Sequence, residues 1–179
     1  MGLHEIVLPN TEPETEWVRG RALQKVSPTR SHALLQFALA SALHEWAGDR
    51  GEVGTEWRFR VAPPSEAIRP LVPDVSYVAV ERLRGLTGRD LEVPQLSPNV
   101  AVEVLSPDDR RADVDDKIAT YLAAGSSLVI VVDPETSTVE LHDGSPAKIL
   151  RSSDTLVHPV LPGFSLPLDA FFRTIAPPR

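Results

Sequence analysis

Residues 99–134, NVAVEVLSPDDRRADVDDKIATYLAAGSSLVIVVDP, constrain the fold of this chain more than any other stretch. Asn99–Leu105 reads as a strand, five of its seven residues being apolar. A polar loop follows at 106–112. From about 113 to 124, Val114, Ile118, Tyr121 and Leu122 recur at the spacing of one helical face, and Gly125 stands where a left-handed helix cap belongs. Ser127–Pro134 is almost wholly apolar, as a central strand covered on both faces should be. Strand, helix and strand in that order form a crossover unit, which is expected to be right-handed and to set two strands parallel.

The flanking segments supply the rest of a mixed sheet. Residues 1–15 are rich in Pro, Glu and Thr and read as an N-terminal arm, with a single domain over 16–179. Residues 17–28 hold one or two short strands around Gly20. The helix that follows has Ser27 as its expected cap and Pro28 in its first turn. Leu35, Leu39, Ala42, Leu43 and Trp46 form its apolar stripe, and Gly48 or Gly51 ends it. Residues 52–62 alternate as one half-exposed strand and 73–80 form a more apolar one; residues 81–98 read as loop with a short helix. After the crossover come strands near 138–144 and 147–151, then a turn and a short terminal helix. The fold class is therefore α/β, a mixed β-sheet flanked by α-helices.

Composition narrows the partners. The absence of cysteine excludes disulfides, thiolate metal sites and a thiol nucleophile, and fits a cytoplasmic location. No apolar run approaches the roughly 20 residues of a membrane helix, and MGLHEIVLPNTEPETEW lacks the basic and apolar regions of a signal peptide. The formal charge of -7 argues against strong nonspecific binding to nucleic-acid phosphates.

Three charges stand where the pattern wants none. Glu103 lies in the middle of an apolar strand. Either that strand is an edge with one wet face, or the carboxylate is paired, protonated or metal-bound, since burying it alone costs several kcal/mol. Lys117 lies on the margin of the face that packs on the sheet; it either snorkels to water or points into a site. Asp74, after Pro73, is an ordinary strand-entry residue by itself. Taken together, the two carboxylates lie on strands that could be neighbours, and the lysine on the helix returning over them. Hard oxygen ligands suit Mg²⁺ or Mn²⁺, and a nearby lysine can orient or deprotonate a water and offset developing charge. That chemistry suits phosphodiester hydrolysis.

The pairs Pro73-Asp74 and Val102-Glu103-Val104 resemble the PD-(D/E)XK nuclease superfamily. More closely, PDVSYV, VAVEVLSPDDRRADVDDKIATYLAAG, LVIVVDPETSTVELH and LPGFSLPL resemble the Uma-two family of restriction-endonuclease-like proteins, from about residue 16 to the end. The resemblance implies the restriction-endonuclease-like fold, with Asp74 and Glu103 as metal carboxylates and the Val104 backbone carbonyl as a further ligand. One departure stands out: the lysine expected two residues after the glutamate is Leu105, and Lys117 on the following helix takes its place. His32, on the inner face of the first helix, and Glu16 are accessory candidates. Against each stands a plainer reading, a hydrogen-bonded helix histidine and a solvent-facing glutamate. The implied activity is a Mg²⁺-dependent DNA endonuclease, and a homodimer would let such a fold cut both strands of a duplex. The rivals are a non-cleaving nucleic-acid-binding or assembly module of the same fold, and a metal hydrolase of small phosphoesters.

Overall fold

The computed structural model describes residues 4–178. Residues 1–3 of the expected arm and residue 179 lie outside the described residues. In chain order the elements are β1 (Thr15–Val18), β2 (Arg21–Gln24), α1 (Arg30–Ala47), β3 (Gly51–Thr55), β4 (Phe59–Val61), β5 (Arg69–Leu71), β6 (Val75–Ala79), α2 (Val80–Leu83) and α3 (Arg89–Glu92). There follow β7 (Val100–Val104), α4 (Arg111–Ala123), β8 (Leu128–Asp133), β9 (Thr138–His142), β10 (Lys148–Arg151), β11 (Thr155–Leu156), β12 (Leu166–Pro167) and α5 (Leu168–Arg173).

Six strands form the central sheet in the order β10-β9-β8-β7-β6-β3. The β7–β8 pair is parallel, as the crossover requires, and its neighbours are antiparallel. Alternation along each strand divides the core in two. Val100, Val102 and Val104 of β7, with Leu128, Ile130 and Val132 of β8, pack with Leu35, Leu39 and Leu43 of α1 and with α5. Ala101, Val129 and Val131 face the other way, toward Val114, Ile118 and Tyr121 of α4 and toward Val18, Phe59 and Leu71 of the small β1–β2 and β4–β5 ribbons. Glu103 shares the parity of Ala101 and so lies on the α4 side.

The structure corrects several local expectations. Strand β7 is no edge: β6 and β8 flank it and all five of its residues are buried. Helix α1 is capped by Thr29, whose side chain accepts from the His32 N–H, rather than by Ser27. Ser27 precedes a proline, which favours extended backbone and delays the helix by two residues. Helix α4 begins two residues before the expected 113. The single strand expected over 52–62 is two strands in different sheets: β3 pairs with β6 and β4 with β5. The break falls at Glu56, whose φ of 51° lies in the left-handed region that few non-glycine residues adopt. Strand β5 went unforeseen because Pro70, at its centre, argues against a strand; it is tolerated in a two-stranded ribbon. The N-terminal segment docks on the domain, with Glu5 bridging Ile68 and the Lys25 N–H donating to the Glu14 carbonyl at 2.8 Å.

Candidate active site

Asp74 directly precedes β6. The register sets Val75 opposite Val102, so one further step sets Asp74 opposite Glu103. The Asp74 N–H donates to the Val102 carbonyl at 2.9 Å, and its Oδ2 accepts from the Val104 N–H at 2.6 Å. The aspartate is thereby stitched into β7 on both sides of Glu103. Its second oxygen, Oδ1, lies 2.7 Å from Lys25 Nζ, and His32 Nε2 lies 3.2 Å from Oδ2.

Glu103 meets α4. Its Oε2 accepts from Lys117 Nζ at 2.7 Å and its Oε1 from the Tyr121 hydroxyl at 3.1 Å. Lys117 and Tyr121 are four residues apart, hence neighbours on one helical face. Lys117 Nζ also donates to Glu16 Oε2 at 2.8 Å, while Glu16 Oε1 accepts from the Val72 N–H at 2.7 Å. Lys117 does not snorkel and Glu16 does not face solvent: they are 7% and 3% exposed. With Asp74 and Glu103 they line one cleft of about 1030 Å³. His32 lines it too, and its Nδ1 is buried without a hydrogen-bond partner.

Burial sets the electrostatics of this network. It pushes Glu103 up, and the adjacent charges of Asp74 and Glu16 add to it against Lys117, so its carboxyl rises to about 8. Burial acts the same way on Asp74, but the Lys25 ammonium and His32 outweigh it and hold the group well below the usual carboxylate range. For Lys117 burial favours the neutral amine, yet Glu103 and Glu16 more than compensate and keep it firmly protonated.

All three principal candidates, both accessory residues and Val104 therefore gather in one place. Lys25, Glu56 and Gln36 belong to the same cleft and were not foreseen. For Lys25 a signal existed: β2 alternates half-buried and exposed residues, and continuing that phase puts Lys25 on the inner side with Arg21 and Leu23.

The donor set suits a hard divalent cation. Four carboxyl groups (Glu16, Glu56, Asp74, Glu103) and two lysines (Lys25, Lys117) meet at its centre. Among the described residues, no three His, Cys, Asp or Glu side chains form a ready-made metal cage. Mg²⁺ rarely uses one; it binds through one or two carboxylates, water and substrate phosphate. Asp74 and Glu103, with the Val104 carbonyl, would be those ligands.

Comparison with known proteins bears on the family and the fold. Residues 4–169 match the model of the Uma2 family, described as "Putative restriction endonuclease". No curated protein matches. Among solved structures, the chain resembles a protein of Anabaena variabilis described as a "putative nuclease belonging to DUF820", with a TM-score of 0.81 and 22% identity over 94% of this chain and 95% of that one. At that identity the likeness establishes the fold, a mixed sheet with flanking helices.

Proposed function

The chain belongs to the Uma2 family, and from that premise we propose that it is a divalent-metal-dependent endonuclease hydrolysing DNA phosphodiester bonds. The observation that carries this reading is the convergence of Asp74, at the head of β6, and Glu103, on the adjacent β7, with Lys117, on the crossover helix, in one cleft. Asp74 and Glu103 would hold Mg²⁺ or Mn²⁺ with the Val104 carbonyl. Such an ion polarises a phosphoryl oxygen and lowers the pKa of a bound water. Lys117, kept protonated by Glu103 and Glu16, is a donor and a positive charge rather than a base. It orients the attacking water and offsets charge developing on the phosphate. Glu16 and Tyr121 position Lys117 and Glu103 through hydrogen bonds, and His32 orients Asp74.

One observation favours a second reading. Both Asp74 and Glu103 already have a lysine within 2.7 Å, as in a purely structural network of a non-cleaving nucleic-acid-binding or assembly module. Cleavage of plasmid and single-stranded DNA in Mg²⁺ or Mn²⁺ decides between them. The nuclease reading expects cutting by the wild type that Asp74→Asn, Glu103→Gln and Lys117→Ala each abolish. Cutting that survives all three, or no cutting by a folded, metal-loaded wild type, sinks it.

A further inference from the structure

We propose that Lys25 is a tethered cation that fills a second cation position in the cleft, so that the protein takes one divalent ion per chain rather than two. The inference rests on the nuclease reading for the identity of that one ion. Its own basis is the surroundings of Lys25 Nζ. Three oxygens from separate points of the chain enclose it: Asp74 Oδ1 at 2.7 Å, Glu56 Oε2 at 2.8 Å and the Val72 carbonyl at 2.9 Å. An ammonium has three donors and no acceptor, so this cage satisfies it completely. Two carboxylates and a carbonyl are also a donor set that hard divalent cations use.

The cage is held in place from outside. Gln36 Nε2 donates to Glu56 Oε1 at 3.1 Å and to the Asp74 carbonyl at 2.9 Å. The Glu56 N–H reaches that same carbonyl at 3.3 Å. The left-handed backbone at Glu56, which breaks β3 from β4, is what turns this side chain toward Lys25. The Val72 peptide serves both halves of the site, its carbonyl accepting from Lys25 and its N–H donating to Glu16.

Tethering selects the occupant. A side chain anchored on the strand that ends at Gln24 is present at high effective concentration, which a free ion must outcompete. Lys25 thus acts through Asp74 as a positioning residue. It fixes Oδ1, so that ligation of a metal by Asp74 falls to Oδ2, which also accepts from the Val104 N–H.

Manganese binding to the full chain, counted by titration calorimetry and by the electron paramagnetic resonance of free Mn²⁺, tests this. The wild type should bind one ion, Lys25→Met two, and Lys25→Met with Glu56→Gln one again. Two ions in the wild type, or one in Lys25→Met at unchanged affinity, overturn the proposal, the latter while leaving the nuclease reading intact. A wild type that binds none removes the metal-dependent reading. The cage then stands if Lys25→Met gains an ion that Glu56→Gln removes, and falls if it gains none. Should Lys25→Met not fold, the wild type still decides. The Lys25 ammonium signal in a ¹⁵N NMR spectrum should persist in saturating Mg²⁺, and its release to solvent exchange would show that the ion displaces it.

Discussion

At the scale of single residues, Lys117 holds two buried carboxylates together. Glu16 and Glu103 each lie within 2.8 Å of its ammonium, and all three are less than a tenth exposed. Breaking such a pair by removing one partner typically costs about 3–5 kcal/mol, because the remaining charge has no compensation. Lys117→Met should therefore lower the unfolding free energy by about that much in metal-free urea titrations at pH 9, above the Glu103 value of about 8, and adding Glu103→Gln should restore part of it. A loss below about 1 kcal/mol is what an exposed pair gives, and would mean that the triad is solvated. Asp113 shows the opposite balance. The hydrogen bonds from Arg21, at 2.8 and 3.2 Å, lead over burial, and Arg19 adds to them, so its carboxyl sits below its ordinary value. A carboxylate depressed in the folded state stabilises above its unfolded pKa, near 4, and that contribution is lost as pH falls through the folded value. Asp113→Asn should thus be less stable than wild type at pH 6, and the two should converge in acid; a gap that persists at the lowest pH would assign the effect to packing. These residues also show what a sequence discloses. Glu103 and Lys117 were legible because a charge interrupts an apolar period. Lys25, Glu56 and Gln36 sit in polar or alternating segments where such residues are ordinary, so only the fold brings them together.

At the scale of elements, the crossover β7–α4–β8 delivers Glu103 and Lys117 to each other, and it depends on how α4 ends. Gly125 takes φ of 103°, and a Cβ there would meet nothing within 4 Å. Gly125→Ala should therefore be destabilising through backbone strain alone, by about 1–2 kcal/mol, read as a lower Tm. The cleft residues should stay in register. An unchanged Tm would mean that the turn relaxes without strain. The same unit was the most legible part of the chain, since its apolar periods switch cleanly from strand to helix and back. Residues 52–62 were not legible as two strands. Their alternation of Val53, Thr55, Trp57, Phe59 and Val61 is continuous in sequence, and nothing in a period of two records the change of backbone hand at Glu56. That unread turn is the one that brings Glu56 to Lys25.

At the scale of the whole molecule, an acidic protein proposed to act on a polyanion has to overcome its own field. The formal charge is -7 and the pI about 5.2, and the cleft carries Glu12, Glu14, Asp108 and Asp109 beside its central carboxylates. Phosphate contacts normally supply most of the affinity for DNA through lysine and arginine. Here the two central lysines are already paired with carboxylates, which leaves Arg110 at the cleft and a bound metal as the positive charge that can receive a phosphate. Affinity for a short duplex, measured by fluorescence anisotropy at fixed ionic strength, should then be weak in EDTA. It should tighten by about tenfold or more in Ca²⁺, which takes the same oxygen ligands. Glu103→Gln separates a site-bound ion from general screening, because screening acts on both proteins alike, while an ion held by Asp74 and Glu103 is lost with the carboxylate. If the variant keeps the full calcium-dependent gain, the ions act at the surface. If the wild type binds equally well in EDTA, DNA docks on a face other than this cleft, and the cleft chemistry would have to serve a different phosphoester.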